Sequence, residues 1–140
     1  MIDYEKFQKS LKQLELQFEN YQSPHEGGAF NDLDRQALKE SVIQRFETCY
    51  DTLWKHLKRH LIEELGLPEA PNSPKPVFRL ADENQLLDSR LEQWLKYSDI
   101  RVDTAHDYSE EKADACLEIM APFIDDAIGL YQTLTGKTWE

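Results

Sequence analysis

At 140 residues the chain has room for one domain of ordinary size. Its 40% hydrophobic content, with 6 Phe, 6 Tyr and 3 Trp, supplies one core, and 5 glycines and 6 prolines exclude collagenous and low-complexity classes. Sixteen Lys and Arg against 27 Asp and Glu leave a net charge of −11, the wrong sign for a general nucleic-acid binder, whose affinity comes largely from neutralising phosphates.

The first apolar stripe, Phe7, Leu11, Leu14, Phe18 and Tyr21, steps by four and three and predicts a helix with Asp3 as its N-cap. Pro24 and the Gly27–Gly28 pair punctuate the stretch that follows. The longest helix is predicted from about Asp34 to Leu65, with Gly66 just past its end and Pro68 beyond. One flank reads Leu38, Val42, Phe46, Cys49, Leu53, Leu57, Leu61, Leu65, and a second adds Ile43, Tyr50 and Trp54. A helix apolar on two flanks serves more than one neighbour, so it is expected to be central and to reach a subunit interface.

A proline-rich connector, Pro68 to Pro76, is too short to divide domains. A short helix around Val77–Glu83 and another from about Asp88 to Ile100 come next, and Arg101 to Tyr108 interrupts the periodicity. Ser109 is the expected N-cap of the last helix, with Glu110 and Glu111 suited to the positive end of its dipole. That helix closes at Gly136, and Pro122 should kink it by removing a backbone donor and crowding the carbonyl of Glu118. No strand pattern or internal repeat is visible, so the expected fold is all-α: an antiparallel four- to five-helix bundle spanning residues 1–140 as a single domain.

Cys49 and Cys116 lie in apolar helical patterns without a CxxC or a His/Cys cluster, which argues against disulfides and structural zinc. The N-terminus is charged from its third residue and has no signal-peptide core, and no run approaches the ~20 apolar residues of a membrane span. The expectation is a soluble cytoplasmic protein with no cofactor and no metal. Carboxylate neighbours such as Glu63–Glu64 and Asp125–Asp126 point apart on a helix.

No phosphate loop, GxGxxG, HExxH or GxSxG is present. The sharpest pattern is R-x4-H-x-Y: Arg101, His106 and Tyr108. In metal-free RNA cleavage an imidazole moves the proton of the 2′-OH or of the leaving oxygen, and a guanidinium holds charge on the phosphoryl oxygens. Residues five apart on a straight helix project about 140° apart. Arg101 and His106 therefore converge only if the helix ends or bends between them or two subunits combine; otherwise they form a solvated helix end. The second candidate is Lys55-His-Leu-Lys58-Arg59-His60, the one dense basic cluster, which suits a nucleotide or phosphate backbone and equally suits the negative end of a helix dipole. Trp54 and Trp94 have the shape to stack on bases, although tryptophan at helical spacing more commonly fills a core.

Taken in order, Ile43-Gln-Arg-Phe-Glu47, Trp54-Lys55, Ser73-Pro-Lys75, Arg79, Ala81, Trp94, Arg101 and His106-Asp-Tyr108 closely resemble the nucleotidyltransferase substrate-binding family of the HEPN superfamily, from about Lys6 to Leu134. The resemblance implies a helical-bundle homodimer bound to a minimal nucleotidyltransferase encoded as a separate chain. It implies one of two activities. In the first, the chain is a toxin-like, metal-independent ribonuclease with Arg101 and His106 catalytic and Tyr108 the adenylylation acceptor through which the transferase silences it. In the second, it is a non-catalytic subunit that presents nucleotide or substrate to the transferase, for which the basic cluster offers Lys55, Lys58 and Arg59 as contacts. Val102 departs from the family's pattern, standing where a polar Asn usually follows the arginine.

Overall fold

The computed structural model describes residues 2–23, 31–106 and 109–140, with the side chain of His106 outside that set. The described residues form six helices and no strand: α1 (Glu5–Gln22), α2 (Asp32–Glu63), α3 (Pro74–Glu83), α4 (Leu91–His106), α5 (Glu110–Glu118) and α6 (Met120–Thr135). The all-α bundle is as expected; the last expected helix is two.

The stripe of α1 is buried as its spacing predicts, with Phe7, Leu11 and Leu14 fully enclosed. Asp3 lies one residue outside the N-cap position, which Tyr4 takes, but its Oδ1 still accepts from the backbone N–H of Glu5. Helix α2 starts two residues earlier than the periodicity suggests. Asn31 accepts from the N–H of Asp34 while the Asp34 carboxylate accepts from the N–H of Asn31, a reciprocal cap worth about 1 kcal/mol. It ends at Glu63, so Leu65 falls outside the helix and is 41% exposed.

Side-chain pairs give the directions. Tyr4 meets His60, Gln13 meets Arg45 and Gln17 meets Ser41, so α1 runs antiparallel to α2. Ser98 meets Tyr50 and Thr104 meets Glu47, so α4 is antiparallel to α2 as well. Phe46 packs edge-on to Phe123 at 4.8 Å, bringing α6 against the middle of α2. Helix α2 thus touches every other helix and is the axis of one contiguous core, as its two apolar flanks imply.

Two expectations are corrected. Helix α4 does not stop at Ile100 but continues to His106, because Thr104 is buried and bonded to Glu47, and that tertiary contact replaces the missing apolar periodicity. Pro122 does not kink a continuous helix; the chain breaks at Ile119 (φ −92°, ψ 0°), making Pro122 the third residue of α6, where a missing N–H costs nothing. Ser109 caps α5 through Lys112 N–H, and Gly136 closes α6 at φ 71°, both as expected. Beyond Gly136 the chain turns back: Trp139 packs edge-on to Tyr131, and its Nε1 donates to Glu15.

Two buried polar contacts hold helices at fixed positions. Lys39, only 6% exposed, reaches both Glu110 and Asp114 and ties the start of α5 to α2. Burial opposes its charge, but the two carboxylates together outweigh that and raise its pKa. Tyr97 donates to Asp126 Oδ2 and Ser89 to Asp126 Oδ1, which joins α4 and its approach to α6.

Candidate functional site

Arg101 projects from the last third of α4 onto α2, where Glu47 and Asp51 stand one helical turn apart on one face. Its Nε donates to Asp51 Oδ1 at 3.2 Å, its Nη2 to Asp51 Oδ2 at 3.0 Å and its Nη1 to Glu47 Oε2 at 3.0 Å. The Asp51 pair is the bidentate fork that guanidinium geometry favours. Thr104, one turn along α4, donates to the same Glu47 oxygen at 2.9 Å. The Asp51 hydrogen bonds raise the Arg101 pKa further above its ordinary value. All three nitrogens of Arg101 thus donate to carboxylates, with three of its five N–H donors used, a pairing that sequence reasoning did not anticipate. The available signal was the i, i+4 spacing of Glu47 and Asp51, which puts two carboxylates on one face of the helix.

His106 is the last residue of α4, five positions on from Arg101 along an unbroken helix. No helix end falls between their backbones, and the side chain of His106 lies outside the described residues. Tyr108 lies outside the described residues. Val102, beside Arg101, is 51% exposed.

The basic cluster on α2 is divided by the helix. Lys55 and Arg59 are exposed, while His56 and His60 turn inward onto α1. Lys55 Nζ sits 6.0 Å from the Trp54 ring and has no carboxylate partner among the described residues, Lys58 donates to Asn72 at 3.0 Å, and Arg59 pairs with Glu63 at 2.8 Å. His56 stacks on Phe7, and His60 Nδ1 shares a 3.0 Å hydrogen bond with the hydroxyl of Tyr4. Burial lowers the pKa of both histidines. Trp94 is enclosed and stacked on Phe78 at 5.1 Å, which leaves it no face for a base.

Cys49 and Cys116 are free and buried, and burial pushes both thiols up to about 12, far from the range of a nucleophile. Among the described residues no group of three His, Cys, Asp or Glu is placed to hold a metal ion, and no helix is long and apolar enough to cross a membrane.

Residues 2–136 match the model of the family described as nucleotidyltransferase substrate binding protein like. A solved structure from Thermus thermophilus is 28% identical, with a TM-score of 0.74 over 92% of this chain and 98% of that one. A second, from Haemophilus influenzae and described as revealing the fold of a substrate binding domain of a nucleotidyltransferase, is 24% identical. Its TM-score is 0.70 over 91% of this chain and 93% of that one, a likeness of fold. No curated protein matches.

Proposed function

The chain belongs to the nucleotidyltransferase substrate binding protein like family, and from that premise we propose that it is the non-catalytic, substrate-binding subunit of a two-component nucleotidyltransferase, working with a minimal transferase encoded as a separate chain. The observation that carries this reading is the commitment of Arg101. A metal-free ribonuclease needs that guanidinium turned toward phosphoryl oxygens, and here Glu47 and Asp51 occupy it. One cation between two carboxylates presents a net negative site, and a phosphate would have to displace charge-assisted hydrogen bonds worth about 1.5–3 kcal/mol each.

Substrate contact falls to the α2 surface. Lys55 is exposed and free of carboxylates beside the half-buried Trp54, so it takes the leading role toward a nucleotide phosphate, with Lys58 one turn on and Arg59 partly neutralised by Glu63. Charge reversal at Lys55 and Lys58 together weakens nucleotide binding at least tenfold, measured by calorimetry.

A second reading has its own support. Val102, half exposed beside Arg101, gives α4 an apolar contact for a second copy. A HEPN-type homodimer through that face would bring Arg101 of one copy and His106 of another into one ribonuclease site, with Tyr108 available for adenylylation. The deciding experiment is RNA cleavage by the purified chain without its partner, in EDTA, after intact mass has verified an unmodified Tyr108. The substrate-binding reading expects no cleavage from wild type or His106→Ala, and co-purification with the transferase. Cleavage by wild type that His106→Ala abolishes would overturn it and establish the ribonuclease.

A further inference from the structure

On the flank of α2 that meets α1, Arg45 reaches across the seam between the two helices, and its Nη1 donates to Gln13 Oε1 at 2.9 Å. The pair borders a groove of about 290 Å³, lined by Ser10 and Gln13 of α1 and by Ser41, Gln44, Arg45 and Thr48 of α2. That volume sits at the lower end of small-ligand sites, roughly 300–1,000 Å³, so an occupant is small.

All six of these side chains are polar and none is a carboxylate, in a chain with 27 Asp and Glu against 16 Lys and Arg. The acidic residues nearest to Arg45 along α2 are engaged elsewhere. Glu47 accepts from Arg101 and Thr104 on the flank that meets α4, and Glu40 accepts from Gln36 at 3.4 Å. Among the described residues Arg45 has no carboxylate partner, so the groove keeps a positive charge. The repulsion of an anion by the chain's net charge of −11 is screened beyond about 10 Å at 0.1 M salt, and the groove itself decides.

Hydrogen-bond polarity points the same way. A guanidinium only donates, so the amide oxygen of Gln13 has to face it and both amide N–H groups of Gln13 are left over. Among the described residues Arg45 Nε and Nη2 have no partner, and neither has the Gln44 amide. Ser10 and Thr48 give their hydroxyl protons to the carbonyls of Phe7 and Gln44, and Ser41 Oγ accepts from Gln17 at 2.9 Å. The unspent groups are therefore donors from both helices, one of them charged, and their complement is an oxyanion. A carboxylate brings two oxygens in one plane. A phosphoryl group brings three, spread tetrahedrally, which suits donors arriving from the two sides of a seam.

From the juxtaposition of Arg45, Gln13 and Gln44 around a groove without carboxylates, we propose that the α1–α2 seam binds a small phosphate monoester, its phosphoryl oxygens accepting from the guanidinium and the two amides. The site lies ten residues, about 15 Å, along α2 from Lys55, and binding there does not depend on the substrate-binding reading above.

The test follows the side-chain amide NMR signals of Gln13 and Gln44 in the isolated chain, assigned through Gln13→Ala and Gln44→Ala. The probes are glucose 6-phosphate, glucose and gluconate: phosphate, neutral and carboxylate on similar frames. Glucose 6-phosphate is expected to shift both amides saturably, gluconate to bind at least tenfold more weakly and glucose to leave them in place. Arg45→Gln keeps a donor for Gln13, and Gln44→Glu puts a carboxylate into the groove from an exposed position. Each is expected to weaken glucose 6-phosphate at least tenfold while the urea unfolding midpoint stays put. The proposal is overturned if glucose 6-phosphate leaves both amides unmoved at concentrations on the order of 10 mM, if glucose or gluconate titrates equally well, or if either variant binds as wild type does. Failure there leaves co-purification with the transferase untouched, so the two readings fail separately.

Discussion

Near the middle of α2, Glu47 and Asp51 meet Arg101, and the guanidinium is held on all three of its nitrogens. Nine residues further along the same helix, about 13 Å on, His60 meets Tyr4 through its Nδ1, and both line a cleft. Both places pair a polar group of α2 with a neighbouring helix or its N-terminal approach. At the first, charge and hydrogen bonds are matched within the chain, and the product is a joint between α2 and α4. At the second a single hydrogen bond joins the two side chains beside that cleft.

The largest effect expected from testing this contrast is at the joint. Arg101→Ala leaves Glu47 and Asp51 facing each other in a partly buried place and lowers stability by about 2 kcal/mol, read from urea unfolding. Arg101→Lys recovers less than half of that, since an ammonium cannot reproduce the fork. An unchanged unfolding midpoint for Arg101→Ala would sink the joint and free the guanidinium for phosphate.

A smaller effect is expected at the cleft, from pH. The folded-state pKa values of His56 and His60 lie below their ordinary 6.5, so the unfolded chain takes up protons first as the pH falls. Their contribution is fully present above about pH 6.5 and is lost as the pH drops below it toward the folded values. Thermal unfolding between pH 7.5 and 5.5 therefore shows a falling Tm, and His60→Gln gives a shallower slope; equal slopes would remove His60 from the account. The smallest effect belongs to the exposed pair at the end of α2. Glu63→Gln frees Arg59 and leaves the urea midpoint unchanged, because an exposed i, i+4 pair is screened by solvent.

Where the sequence could be read, it was read through period and punctuation. Phe7, Leu11 and Leu14, or Val42, Phe46, Cys49, Leu53 and Leu57, point one way on a helix whatever surrounds it, and each is buried. Ser109 and Gly136 end helices for local reasons and do so here. The failures arise where the local pattern leaves the contacts out. Residues 101–106 have no apolar stripe, yet α4 continues through them because Thr104 and Arg101 find acceptors on a helix some fifty residues away in the chain. The run from Lys55 to His60 reads as one basic patch, although a helix turns His56 and His60 by a different angle from Lys55 and Arg59. Pro122 was legible as a disruption and not as a helix start, since that choice depends on Ile119 leaving the helix three residues earlier.

The all-α class, the central place of α2 and the family resemblance were determined by the sequence alone, because apolar periodicity and ordered motifs need no partner to be recognised. The pairing of Arg101 with Glu47 and Asp51 and of His60 with Tyr4 was decided by the tertiary structure. Glu47 and Asp51 are some fifty residues from Arg101, and Tyr4 is 56 residues from His60. A hydrogen bond depends on a few tenths of an ångström between groups that only packing brings together.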